Sequence, residues 1–424
     1  MILVAIAFFA LLALGLPIGF VMLGASMTYF SLNPMLSSIV AQRLSSALES
    51  FPLLAIPLFV VAGAAMARGG IAERLYGFCD TLVGHWRGGL AQIAVLNSVF
   101  MGAMSGSANA DAAIDARTIV PVMCKHGYSN AYGSVVSAAS SLIAPIMPPS
   151  IALIVYGLLT NTSIGRLFVG GIIPGLLIAA ALMLTVRYTA GRMTLTQIRT
   201  TRASRAEVLT HGRAALWALA MPVMLLFGLR GGWFTPTELG AVAAVYAFVV
   251  GTFIYRGIRL RETFALLREA AMTTAGVMFI VASASVFSLI LSLEQVPQAL
   301  IGALTQISDN KIVVLITINV ALLILGTVFE GLAIIVILGP MLVQLATTLG
   351  IDPVHLGVVL VFNTAIGSLT PPVGTVMFTV CSITRCSVEE FTRAILPFLG
   401  ALLGVLALLT FVPGLVTFLP NLLF

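Results

Sequence analysis

The first 23 residues, "MILVAIAFFALLALGLPIGFVML", carry no charged side chain, and long apolar runs recur along the chain. Such runs constrain the fold strongly. In hydrocarbon, every backbone N–H and C=O must be satisfied within the protein, which leaves helices and closed barrels. A helix of about 20 apolar residues crosses the hydrocarbon core. A barrel strand alternates apolar and polar over about 10 residues, which these runs do not. Only 8% of the 424 residues are charged, and mean hydropathy is +1.12. A soluble domain carries about 25% charged residues. The sequence therefore predicts an all-α polytopic membrane protein in a lipid bilayer. The first run lacks a basic leader and a small-residue cleavage site, so it reads as a retained helix rather than a signal peptide.

The net charge of +6 is nearly all arginine. Arg187, Arg192, Arg199, Arg202, Arg205 and Arg213 face a single acid, Glu207, in the stretch 187–213. The positive-inside rule places this stretch in the cytoplasm. Two spans later, Arg256, Arg259, Arg261 and Arg268 mark the same side, with Trp233 anchoring the outer turn between them. Aromatic residues do not interleave with the arginines, so no nucleic-acid partner is expected. Cys79, Cys124, Cys381 and Cys386 form no CxxC and no Cys/His ligand set, and read as small apolar fillers. The phosphate-binding pattern GxxxxGK[ST] is absent, so the chain has no ATPase of its own.

Repeats organise the chain. Pro149 pairs with Pro372, and Pro174 with Pro397, at one and the same offset. Asn97 and Asn319 fall one position short of that offset, and Pro121 and Pro340 four positions short. This predicts a first membrane repeat over 1–186, a basic cytoplasmic linker over 187–213, and a second repeat over 214–424. An odd number of spans per repeat would invert one against the other. Under this alignment "MGAMSGSANADAAIDA" (101–116) faces "GTVFEGLAIIVILGP" (326–340). Each is followed by a second interruption, "SSLIAPIMPPS" (140–150) and "AIGSLTPPVGT" (365–375). Paired breaks in two halves are the sequence mark of a midplane transporter site. Residues 49–70, with Pro52 and Pro57, and 272–292, with Ser283, Ser285 and Ser288, are candidates for re-entrant hairpins. Ordinary spans are the competing reading of both.

A break in a membrane helix exposes carbonyls that suit a cation and N–H groups that suit an anion. Ser105, Gly106 and Ser107 fit such a break: glycine permits the turn and the hydroxyls add hard oxygens. Gly326, Thr327, Gly367, Ser368 and Thr370 offer the same chemistry in the second half. The tandem prolines remove N–H donors and free carbonyls at Ala144, Met147, Gly367 and Thr370. Close helix packing is the competing reading of these small residues. Asp111 and Asp115 share one face if helix resumes after Asn109. Intramembrane acids, Glu330 included, are candidates for coupling. Asp115 could instead pair with Arg117 or Lys125 at the membrane edge, and Glu330 could pair structurally.

"FMGAMSGSANADAAIDARTIVPVM", "APIMPPSIALIVYG" and "IGSLTPPVGTVMF", in this order and over this length, resemble the large (M-type) membrane subunit of tripartite ATP-independent periplasmic (TRAP) transporters. The resemblance implies two inverted repeats with re-entrant hairpins, moving as an elevator in a bacterial inner membrane. It implies Na⁺-driven uptake of an organic acid and no enzymatic activity. It implies two partners, a periplasmic substrate-binding protein and a small four-helix membrane subunit, the latter as a separate chain. Two Na⁺ sites are implied. One uses Ser105, Ser107 and carbonyls around Ala144, Met147 and Pro149. The other uses Gly326, Gly367, Thr370 and Val373. Substrate is expected between them, at Ser105, Gly106, Ser107, Asn109, Asp111, Pro149 and Pro372. Ala144 stands where the second half has Gly367, so the turn there must accommodate a Cβ. A two-repeat carboxylate or ion antiporter working without a binding protein is the alternative function. An intramembrane enzyme would need a catalytic pair, and no Ser/His set or Asp-rich metal motif is found.

Overall fold

The apolar runs form helices, and in the computed structural model no strand occurs among the described residues, which are 2–33, 37–191, 199, 201–296, 298–299, 302 and 310–424. The first half runs α1 (Ile2–Ala13), α2 (Ile18–Leu32), α3 (Ser37–Leu48), a 3₁₀ turn (Phe51–Leu54), α4 (Ala55–Arg68) and α5 (Ile71–Val83). It continues with α6 (Gly89–Ser105), α7 (Ala108–Lys125), α8 (Asn130–Ser141), α9 (Ile151–Thr160) and α10 (Ile164–Ala190). The second half runs α11 (Arg205–Arg230), α12 (Pro236–Val249, extended by a π turn over Val250–Ile254), α13 (Thr263–Leu293), α14 (Lys311–Gly326) and α15 (Gly331–Thr348). It ends with α16 (Pro353–Gly367), α17 (Thr375–Thr384), α18 (Val388–Phe411) and α19 (Gly414–Leu423). Seven helices among the described residues are long and apolar enough to cross a membrane.

Helices α6 to α10 and α14 to α18 follow the same order. They start at Gly89, Ala108, Asn130, Ile151 and Ile164 in the first half, and at Lys311, Gly331, Pro353, Thr375 and Val388 in the second. The offset drifts by no more than two positions across the five pairs. Pro121 and Pro340 do not belong to this register. Pro121 lies in the fourth turn of α7 and Pro340 in the third turn of α15, so that match is coincidental. The stretch 187–213 is less of a loop than its charge suggests. Helix α10 continues to Ala190, and Ser204 with Glu207 forms a capping box that starts α11 at once. Arg199 reaches Asp80 on α5 and Glu207 on α11, both at 3.3 Å. Arg192 lies outside the described residues.

Residues 49–70 and 272–292 follow the competing reading, ordinary helical spans, and not that of hairpins. Residues 49–70 form the 3₁₀ turn and the single helix α4, and 272–292 lie inside the 31-residue helix α13. Pro57 is the third residue of α4, where no intrahelical N–H bond is required. Of the serines in α13, Ser292 bonds back to Ser288 O at 2.9 Å, whereas the buried Ser283 hydroxyl has no partner among the described residues, and the helix runs on through both. The hairpins are instead α6–α7 and α14–α15. At the base of the first, a Cβ on Gly88 would lie 2.8 Å from Ala190 Cβ, and Tyr132 pairs with Thr189 at 2.8 Å. Both ends therefore sit at the C-terminal end of α10, the face of the basic stretch. The base of the second hairpin sits at the other end of α10, where Arg166 and Asp352 are 3.8 Å apart.

The broken helices α8–α9 and α16–α17 run antiparallel at the centre. Asn130, opening α8, donates to Thr384 O, closing α17, at 2.8 Å. At the opposite end, Tyr156 on α9 donates to Pro353 O at 2.8 Å. Tyr156 is fully buried, with its ring where a Cβ on Gly357 would come within 2.3 Å. Around this centre the halves interleave: α4 packs on α12 and α2 packs on α13.

Candidate functional site

Each hairpin turns in a handful of residues, and each turn lies against a break. Ser105 closes α6, Gly106 adopts φ +60°, and Ser107 caps α7 by accepting the Ala110 N–H at 3.4 Å. Ser105 Oγ accepts the Ser107 N–H at 3.5 Å. Helix restarts at Ala108, so Asn109 lies in the first turn of α7 instead of preceding it. A Cβ on Gly106 would fall 2.6 Å from Pro149 O, so only glycine lets the tip meet the first break. That break is closed by Ser150, whose hydroxyl donates to Pro145 O at 2.6 Å and caps α9.

The expected difficulty at Ala144 is resolved one turn below the tip. Ala144 lies against Gly102, where an added Cβ would be 2.7 Å from Ala144 Cα. In the second half both partners are glycine: a Cβ on Gly367 would lie 2.5 Å from Gly326 Cα and 2.9 Å from Gly326 O. Thr327 O at this tip accepts N–H groups of Val373 and Gly374 at 3.0 and 3.3 Å. Thr370 donates its hydroxyl to Gly367 O at 2.8 Å, which leaves the hydroxyl lone pairs free. The two breaks differ in exposure. Pro149 and Ser150 are buried, whereas Pro371, Pro372 and Val373 are exposed.

Both sets therefore offer hard oxygen atoms of the kind Na⁺ takes: hydroxyls of Ser105, Ser107 and Thr370, and main-chain carbonyls at the breaks. Gly102, which sequence reasoning missed, is what permits the first approach. Its signal was the register, because it matches Gly326 to within one position of the offset that pairs Pro149 with Pro372.

A cavity of about 590 Å³ joins the two tips. Ser105, Gly106, Ser107 and Asn109 line it from the first half, and Glu330, Thr364, Ser368 and Thr375 from the second. Asp111, Pro149 and Pro372 are not among its lining residues. Asp111 is turned into the hairpin and has no exposed surface. Nor do Ala144, Met147, Gly326, Gly367, Thr370 or Val373 line it, since they belong to the tips and breaks behind it. Asp115 pairs neither with Arg117 nor with Lys125. It accepts hydrogen bonds from Tyr76, Asn97 (3.5 Å) and Ser98 (3.4 Å).

Arg117 faces the cavity, as does Glu269, which pairs with Arg68. Among the described residues Arg117 makes no ion pair, and Asn109 Oδ1 is buried without a partner. Asn109, Ala113 and Arg117 form one stripe along α7 at spacings of four. Two turns of helix put about 12 Å of axial rise between the Cα atoms of Asn109 and Arg117, with a small-residue floor between. A guanidinium binds a carboxylate through two parallel N–H bonds. The cavity can thus hold an organic anion against Arg117 while hydroxyl and amide groups near the tips bind its other end. The i+8 spacing of Arg117 from Asn109 was readable in the sequence.

Comparison with known proteins agrees with this architecture. The fold resembles the Alcanivorax borkumensis YdaH transporter, with a TM-score of 0.63 at 16% identity, covering 90% of this chain and 89% of that one. It also resembles Neisseria gonorrhoeae MtrF, with a TM-score of 0.61 at 12% identity, covering 89% and 83%. In sequence, the chain is 39% identical over 393 residues to the sialic acid TRAP transporter large permease protein SiaM of Vibrio cholerae, covering 92% of this chain and 91% of that protein. It is 39% identical over 377 residues to the C4-dicarboxylate TRAP transporter large permease protein DctM of Pseudomonas aeruginosa, covering 89% and 88%. It is 38% identical over 390 residues to the 2,3-diketo-L-gulonate TRAP transporter large permease protein YiaN of Escherichia coli, covering 92% and 91%. Residues 5–415 match the family model described as "Tripartite ATP-independent periplasmic transporter, DctM component", and the chain belongs to that family.

Proposed function

We propose that this chain is the large transmembrane subunit of a Na⁺-coupled importer of an organic acid that a periplasmic binding protein delivers. The observation that carries the proposal is the meeting of two hairpin tips, each seated on a broken helix, at one cavity faced by Arg117, which makes no ion pair among the described residues. The named relatives handle sialic acid, C4-dicarboxylates and diketogulonate, all organic acids. In the proposed cycle, Na⁺ binds at Ser105, Ser107 and the carbonyls of Ala144, Met147 and Pro149. A second Na⁺ binds at Gly326, Gly367, Thr370 and Val373. The cations draw the tips onto their breaks and offset the charge of the incoming carboxylate.

In the same proposal, residues 1–186 and 214–424 are inverted repeats joined by 187–213. Support comes from the matching order of five helices and the antiparallel broken helices. The hairpins and broken helices travel as the elevator, and α2, α4, α12 and α13 form the scaffold. The cavity reaches Arg117 and Glu269, toward the face of the basic loops, which favours an inward-facing state. A small membrane subunit completes the scaffold.

Reconstituted with a small membrane subunit and a binding protein, the chain should import an organic acid only under an inward Na⁺ gradient. Equal uptake without Na⁺ would remove the coupling, and uptake without any binding protein would establish the antiporter reading. Ser105→Ala and Thr370→Ala should each raise the Na⁺ concentration for half-maximal uptake roughly tenfold, the equivalent of about 1.4 kcal/mol. Wild-type Na⁺ dependence in both variants would take these hydroxyls out of the sites. Arg117→Ala should raise the substrate KM by about tenfold or more through loss of a charge-assisted pair. An unchanged KM would place the carboxylate elsewhere.

A further inference from the structure

We propose that the first hairpin carries an additional cation site, between its two arms, built from Asp111, Asp115, Asn97 and Ser98 and taking one Na⁺. Asp111 and Asp115 stand one turn apart on α7, and both have no exposed surface. Asn97 and Ser98, on α6, are equally buried. Asp115 accepts hydrogen bonds from Tyr76, Asn97 and Ser98, and three donors can support one buried negative charge. Asp111 is in a different position. Among the described residues neither of its buried carboxylate oxygens has a hydrogen bond of good geometry, since the neighbouring Ser98 hydroxyl gives its single proton to Asp115, and neither acid forms an ion pair. Asn97 points its Nδ2 at Asp115, and its buried Oδ1 likewise has no partner among the described residues.

This cluster therefore holds three acceptor oxygens without a donor, and one negative charge more than its hydrogen bonds support. A buried carboxylate left without a counter-charge costs several kcal/mol. A proton would bridge two oxygens at most, whereas a hard cation gathers about six. The donor set contains carboxylate, amide and hydroxyl oxygens, the hard ligands of such a cation. One uncompensated charge matches a monovalent ion.

The second hairpin shows that the fold does not require these acids. In the register that pairs Pro149 with Pro372, Asp111 and Asp115 correspond to Ile334 and Leu338. There the amides bond to one another: Asn363 donates to Asn319 Oδ1 at 2.7 Å, and Asn319 donates to Thr410 at 3.0 Å. Asn363 Oδ1 is left open, but no carboxylate takes the place of either acid. The same helix–turn–helix is thus built with apolar residues at both positions, so the acids of the first hairpin serve something other than its folding. The site is separate from the two tip sites of the proposed function and does not depend on them.

The test uses the full-length chain in lipid nanodiscs, with binding of radioactive ²²Na⁺ as the readout. A Ser105→Ala/Thr370→Ala background weakens the tip sites. It should retain one saturable ²²Na⁺ site that K⁺ and choline displace poorly. Adding Asp111→Asn should weaken that binding at least tenfold. Asn97→Leu, which leaves both acids in place, should weaken it as well and serves if Asp111→Asn is not monodisperse. Absence of ²²Na⁺ binding in the background overturns the proposal. So does unchanged binding in the Asp111→Asn or Asn97→Leu variant, or tighter binding of Ca²⁺ than of Na⁺. Uptake assays report separately: Na⁺-independent import with intact ²²Na⁺ binding would end the coupling proposal and leave this site standing.

Discussion

Gly367→Ala should reduce uptake by about a hundredfold, the loss expected when a site is displaced by roughly 1 Å. The added methyl would sit 2.5, 2.6 and 2.9 Å from Gly326 Cα, C and O, all of them backbone atoms that no rotamer change can move aside. Relief requires the second tip to retreat from its break. Retreat pulls Thr327 O from the N–H groups of Val373 and Gly374 and Gly326 from Gly367. Gly276→Ala in α13 is the control, because nothing lies within 4 Å of the added methyl. That change should leave uptake unaltered and favour the helix by up to about 1 kcal/mol. Uptake per molecule in proteoliposomes separates the two variants. Wild-type uptake by Gly367→Ala would mean that contact between tip and break has no functional weight.

Tyr156→Ala should produce the largest loss of stability of any single change considered, about 3–5 kcal/mol by comparison with other truncated core aromatics. The ring is fully buried on α9 and fills the space left by Gly339 and Gly357 on the opposing helices. Its truncation opens a cavity where the two halves cross. Tyr156→Phe keeps the ring and loses only the hydrogen bond to Pro353 O, worth about 1 kcal/mol. Thermal unfolding of the purified variants in detergent should therefore rank wild type, Tyr156→Phe and Tyr156→Ala with a wide second gap. Equal loss in the two variants would show that the hydrogen bond matters and the wedge does not.

The membrane class, the basic face and the paired breaks were legible because each depends on composition or spacing. Charge depletion reports lipid, arginine runs report topology, and glycine and proline report interrupted backbone. For 49–70 and 272–292, where hairpin and ordinary span stood as competing readings, the ordinary span holds for a physical reason. Prolines near a helix start and isolated serines in a long apolar helix do not break it, so 55–68 and 272–292 stay continuous. A tip as short as Ser105–Ser107 nevertheless reverses the chain because Gly106 adopts positive φ. Of the two readings of Asp115, pairing with Arg117 or Lys125 fails because its partner Tyr76 lies far back in the chain on α5, and nothing local announces it. The fit of Tyr156 over Gly357 joins helices from opposite halves of the chain and is invisible to periodicity. Arg117 is the reverse case: its helical spacing from Asn109 placed it on the cavity face, and attention to the serines obscured it.

The interleaving of α4 with α12 and of α2 with α13 is an exchange between the halves. In the register of the repeats, α2 corresponds to α12 and α4 to α13, so each half lends the same two helices to the other. Two identical copies of one half could make the same exchange if one were inserted upside down. The exchange within this one chain is thus the one that two copies of a single half would make with each other.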